Sequence, residues 1–97
     1  MVLEVALIDV QDGHEDDFIA AYAKARPLVA GAAGFLSVRM TQGIETPTRF
    51  VLLVEWESVD AHMDFRASEQ FKQWRALIGP HFDGAPRVEH FEDVRVL

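Results

Sequence analysis

Trp56 and His62 are the two side chains of this sequence best placed to do chemistry, and they lie in one short segment. Trp56 closes the run Phe50-Val-Leu-Leu-Val-Glu-Trp56 just before a helix start. A large flat side chain there can wall a cavity between sheet and helices, or simply fill core. His62 follows between Ala61 and Met63. An imidazole titrates near neutrality and can take up a proton, but on a short helix it can equally bond a backbone group or water. Arg75, next to Trp74, can pair with an acidic group on a ligand or face solvent. Phe65, Phe71, Trp74, Phe82 and Phe91 are dense for so short a chain. The helical spacing of Phe71 and Trp74 makes them core first, with some of these rings left to line a cleft suited to planar, apolar ligands.

The other polar candidates are His81 and His90, with His14 expected in the exposed first turn of a helix. His62, His81 and His90 with Glu55 could hold a metal only if folding brought them together, and their spacing matches no metal motif, so none is expected. No phosphate loop, dinucleotide fingerprint or supported Ser-His-Asp arrangement is present, so a nucleotide cofactor is not expected either. The absence of cysteine excludes disulfides, thiolate metal sites and cysteine nucleophiles.

These residues need a scaffold, and 97 residues with 49% hydrophobic content suffice for one domain spanning 1–97. There is no apolar run of membrane-spanning length and no basic stretch followed by an apolar segment at the start, which reads as soluble and cytoplasmic. A formal charge of −7, from 16 acidic and 9 basic side chains, opposes binding to nucleic acid or an anionic membrane.

Val2 to Val10, with only Glu4 and Asp9 polar, reads as a strand covered on both faces. Glu15 to about Ala30 is a helix on the spacing of Phe18, Tyr22, Ala25 and Val29, with Asp12 and Glu15 forming a capping box. Pro27 should kink or end it, with Gly31 and Gly34 available as stops. Phe35 to Gln42 and Arg49 to Glu57 form a hairpin across the turn-rich Gly43 to Pro47. In the second strand Phe50, Leu52, Val54 and Trp56 share one face, while Val51 and Leu53 make the other apolar too. That calls for helices on one side and some other cover, such as a second subunit, on the other. Ser58 and Ser68 cap two helical segments, the second reaching about Ile78, and Pro86 to Leu97 is the last strand. The order β-α-β-β-α-β is the α+β, ferredoxin-like arrangement, an antiparallel four-stranded sheet with helices on one face.

The segment Glu55-Trp56-Glu57-Ser58, followed by Ala61-His62 and then by Ser68 and Phe71, resembles the antibiotic-biosynthesis monooxygenase domain. The resemblance extends over nearly the whole chain and implies a dimeric α/β barrel in which two sheets pack together, hence a homodimer. It also implies oxidation of a phenolic polyketide with dioxygen and no prosthetic group, with Trp56 helping to bind or activate the substrate. The asparagine and tyrosine those enzymes use fall at Leu52 and His62 here. Leu52 cannot donate a hydrogen bond to a developing oxyanion, whereas His62 could take the phenol's proton. A haem-degrading branch of the family would need its asparagine, tryptophan and histidine at Ala6, Phe65 and Arg75, so that role is disfavoured.

Three functions therefore stand. The first is a cofactor-independent monooxygenase with Trp56 as pocket wall and His62 as base, acting on a small phenolic, hydroquinone or polyketide-like compound. In it Phe65, Phe71, Trp74, Arg75 and His81 would contact the substrate. The second is a non-oxidative isomerase-type enzyme on a small cyclic metabolite. The third is a dimer that binds a small ligand without turnover. Fold alone does not choose among them.

Overall fold

A computed structural model describes residues 1–96. Its elements are β1 (Val2–Asp9), α1 (Glu15–Ala30), β2 (Phe35–Gln42), β3 (Arg49–Trp56), α2 (Val59–Arg66), α3 (Glu69–Ile78) and β4 (Arg87–Phe91), with a 3-10 turn at Gly79–His81. The strands form one antiparallel sheet in the order β2-β3-β1-β4. This is the ferredoxin-like α+β arrangement, its second crossover divided into two helices. Both begin on a serine whose hydroxyl accepts a backbone N–H, Ser58 from Ala61 and Ser68 from Phe71.

Alternation of side chains decides the core. Ala6 and Ile8 of β1 and Phe50, Leu52, Val54 and Trp56 of β3 are buried. They meet Phe18, Ala25 and Val29 of α1, Phe65 of α2, and Trp74 and Ile78 of α3. The opposite face carries Leu3, Val5, Val51 and Leu53 half-exposed, with Leu7 and Phe91 exposed. Among the described residues, no helix is long and apolar enough to cross a membrane.

Two local expectations are corrected. His14, not Asp12, is the N-cap residue of α1, and it makes no side-chain cap. Gly13, at φ +86°, turns the chain so that the Glu15 carboxylate accepts the Gly13 N–H at 3.1 Å instead. The helix itself runs to Ala30 and stops at Gly31 as expected, passing through Pro27, with the Gly31 N–H returning to the Pro27 carbonyl. The last strand ends at Phe91 because its partner runs out: Phe91 already pairs with Leu3, close to the start of β1. Val94 and Val96 are therefore solvent-exposed rather than sheet residues, and Leu97 lies outside the described residues.

One glycine holds α2 in place. Gly34, in the loop between α1 and β2, has φ +80°, and a Cβ there would lie 2.6 Å from that of Ala61. Its carbonyl accepts the Glu57 N–H at 2.8 Å, so the start of α2 is tied to the start of β2.

Candidate functional site

Glu4 is in phase with Ala6 and Ile8 and so turns toward the helix-covered face of the sheet. Its cross-strand neighbours are Val54 on β3 and His90 on β4. Trp56, at the end of β3, donates its indole N–H to Glu4 Oε1 at 2.9 Å. The α2 helix starts just beyond and lays the His62 ring on the indole, 5.3 Å between centroids and 17° from parallel. His62 Nε2 is then 3.2 Å from that same Glu4 oxygen, and His62 Nδ1 is 2.7 Å from His90 Nε2. Glu4 is 6% exposed and His62 3%.

Burial rules the electrostatics of this cluster. It raises the Glu4 carboxyl above its ordinary value, opposed by the Trp56 hydrogen bond and the Arg66 charge. It lowers His62 to about 4, helped by His90 and Arg66. Each group is pushed toward its neutral form, so desolvation outweighs the attraction of a Glu4–His62 ion pair. Near neutral pH, His62 is an uncharged imidazole with both nitrogens engaged. Trp56 and His62 both meet Glu4 through Oε1, and His90 reaches the carboxylate only through His62.

A cleft of about 240 Å³ reaches this cluster. Glu4, His62, Phe71, Trp74, Arg66 and Arg75 line it, as does Leu52. The two guanidinium groups lie over rings, Arg66 at 6.0 Å from Phe71 and Arg75 at 5.5 Å from Phe82. The lining thus combines aromatic walls, a buried acid with its imidazole, and two cations at the rim.

The sequence candidates fall into two groups. His62, Phe71, Trp74 and Arg75 come together at the cleft. Trp56 is fully buried behind Glu4 and His62, and Phe65 packs between Trp56 and Phe71, facing a separate groove beside the end of α1. His81 lies elsewhere, on the 3-10 turn, with Nδ1 3.2 Å from Nδ1 of His14. His14 is thus half-buried rather than exposed. Glu55 accepts the Ser37 hydroxyl at 2.7 Å on the other face of the sheet. Of the four residues weighed as metal ligands only His62 and His90 meet, and no group of three or more acidic or histidine side chains among the described residues is arranged to hold a metal. Sequence reasoning passed over Glu4. The available signal was a carboxylate in phase with Ala6 and Ile8 in a strand, where a charged residue needs partners.

The sheet order defines a ferredoxin-like domain, and the acid–imidazole cluster lies at the end of its small cleft. The chain belongs to the antibiotic biosynthesis monooxygenase family, whose model matches residues 1–77. The Bacillus subtilis protein YczJ is 35% identical over 95 residues, covering 97% of this chain and all of YczJ. A solved Bordetella bronchiseptica structure named for the same family is 46% identical, covers 97% of each chain and superposes with a TM-score of 0.93. SnoaB of Streptomyces nogalater, a cofactor-independent oxygenase, shares the fold with a TM-score of 0.85 at 18% identity, covering 99% of this chain and 95% of its own.

Proposed function

We propose that this protein is a cofactor-independent monooxygenase that uses dioxygen to convert a small phenolic compound to a quinone. The observation that carries the reading is the Glu4–Trp56–His62 cluster at the inner end of an aromatic cleft. The Glu4–His62 pair takes the phenolic proton, giving an electron-rich phenolate. The phenolate reduces dioxygen by one electron, and the two radicals combine to form a carbon–oxygen bond. The resulting peroxide breaks its O–O bond as the ring C–H proton is removed. One oxygen atom remains as the new carbonyl, and the other leaves as water with the two hydrogens of the substrate. The substrate supplies all four electrons, so no reductant is needed. Arg66 and Arg75 would balance the transient negative charge that Leu52 cannot reach by hydrogen bonding. Family membership supports the monooxygenase class, and SnoaB is the precedent for proposing no cofactor.

The working unit in this reading is a homodimer. The half-exposed Leu3, Val5, Val51 and Leu53, with Leu7 beside them, are the apolar surface a second sheet would cover. Leu53→Arg should turn the dimer into monomer in sedimentation analysis, whereas a wild-type monomer would refute it.

The deciding experiment incubates the protein with a panel of phenols and hydroquinones under ¹⁸O₂ and under nitrogen. Label in the product and none formed under nitrogen support the reading. The buried carboxylate also suits plain proton transfer, and turnover under nitrogen would favour isomerisation instead. Tight binding with unchanged ligand would favour a binding protein.

A further inference from the structure

The cluster ends on a residue that the proposed chemistry leaves unused. His90 lies on the edge strand β4, beyond the residues matched by the family, and is half-buried. Its Nε2 is 2.7 Å from His62 Nδ1, and its backbone pairs with that of Glu4. Carboxylate, inner imidazole and outer imidazole thus form a continuous row from cleft to edge, with separations of 3.2 and 2.7 Å. Both distances lie within hydrogen-bonding reach.

Two arrangements of the neutral histidines satisfy every link, the second of them with the Glu4 proton on Oε1. With Glu4 ionised, its Oε1 accepts from His62 Nε2–H, so His62 Nδ1 is a lone pair that accepts from His90 Nε2–H. With Glu4 protonated, the order reverses: Glu4 O–H donates to His62 Nε2, His62 Nδ1–H donates to His90 Nε2, and His90 carries its proton on Nδ1. The second pattern becomes the first when each hydrogen moves one link outward and His90 Nδ1–H loses its proton to water. Exactly one proton leaves, no bond between heavy atoms changes, and His62 never carries charge.

We propose that Glu4, His62 and His90 form a proton relay through which the carboxylate at the cleft exchanges its proton with solvent at His90. The relay rests on the proposed reaction only for its purpose, which is to ionise the catalytic base while a ligand fills the cleft. His62 and His90 are positioning and relay residues, and Glu4 is the group that meets the substrate. The stack on Trp56 keeps the inner imidazole from turning, and burial keeps it neutral. The charged groups beside the row are Arg66 of α2, which acts on both Glu4 and His62, and Arg75 of α3, which shares their cleft. Arg66 favours the ionised pattern.

Histidine ¹⁵N spectra of the ligand-free protein test the relay without any turnover. As pH rises through the range of the Glu4 carboxyl, which burial raises, His62 should pass from the Nδ1–H to the Nε2–H tautomer without ever showing two protonated nitrogens. Glu4→Gln should hold it in one tautomer throughout. A His62 that keeps one tautomer in the wild type, or that becomes imidazolium in this range, overturns the relay. With a turned-over phenol in hand, His90→Gln keeps a hydrogen-bond partner but cannot pass a proton, and should slow turnover at least about tenfold. Added imidazole should restore the rate, whereas unchanged turnover in His90→Gln would overturn the proposal. If no phenol is oxidised yet the tautomer exchange is seen, the oxygenase reading fails and the relay stands.

Discussion

Two histidine pairs sit at opposite ends of β1, and only one of them adjoins a buried carboxylate. His62 and His90 meet at 2.7 Å beside a buried carboxylate, with an indole stacked on the inner ring. His14 and His81 meet Nδ1 to Nδ1 at 3.2 Å, edge-on at 5.5 Å, against Phe18. Their surroundings are backbone and aromatic edges, including the Gln11 N–H bonded to the His81 carbonyl at 2.9 Å. The residue types are identical, so the difference lies in what each pair is coupled to. An acid in the same row gives the first pair a second complete proton arrangement, while the second pair can only exchange one hydrogen between two rings.

Removing the platform under the first pair should be the most damaging change. Trp56→Ala deletes a fully buried indole and leaves Glu4 without its N–H donor, and it should cost about 3–5 kcal/mol in denaturant unfolding. Trp56→Phe retains most of the packing and should cost clearly less. Equal losses in the two variants would mean that the hydrogen bond, not the ring, carries the effect.

The pH dependence of stability isolates the inner histidine. His62 falls from 6.5 unfolded to about 4 in the fold, so the unfolded chain binds the extra proton first. Its contribution is complete above pH 6.5 and is lost as pH falls toward about 4, by roughly 3 kcal/mol in all. Glu4 has the opposite sign: its raised value means stability is lost as pH rises through the carboxylate's range. His62→Gln should remove the acid-side slope from thermal melts run between these limits. A slope unchanged in that variant would assign it to other carboxylates.

A subtler test moves α2 and leaves both histidine pairs chemically intact. Gly34→Ala meets both the left-handed φ and the Ala61 Cβ at 2.6 Å, and should cost about 1–3 kcal/mol. Because His62 rides on α2, ligand binding at the cleft should weaken, while the His14–His81 signals stay put in ¹⁵N spectra. Adding Ala61→Gly relieves the contact but not the backbone strain, so it should recover only part of the loss. Full recovery would show that the glycine is required for space alone.

Much of this scaffold could be read from residue order, because Val/Leu alternation in β3 and the serine caps at Ser58 and Ser68 are local signals. The end of β4 could not, since it is set by where β1 begins. Nor could the cap of α1, because Gly13 takes a left-handed conformation that a capping pattern does not encode. At the site, Trp56 and His62 were visible as a strand end followed by a helix. Their link to Glu4 and His90 was not, for it depends on two antiparallel registers that bring residues more than 50 and more than 80 positions from Glu4 to its side. Histidines look alike in sequence, and His81, not His90, was the one expected at the substrate until the sheet separated them.

The smallest effect is expected at the second histidine pair. His81→Ala removes one half-buried hydrogen bond at 3.2 Å and an edge contact with Phe18, while the backbone bonds of Gln11 and Phe82 nearby remain. It should cost about 1 kcal/mol. Since the cleft's acid lies at the far end of β1, ligand affinity and any turnover should change less than twofold or so, within the scatter of such measurements. His62→Ala in parallel should abolish or strongly reduce both. If His81→Ala instead weakens binding as much as His62→Ala does, the ligand must extend along β1 past Phe82 to the 3-10 turn. The site would then be a long channel bounded by two imidazole pairs, and the outer pair would recognise substrate where the inner one moves its proton.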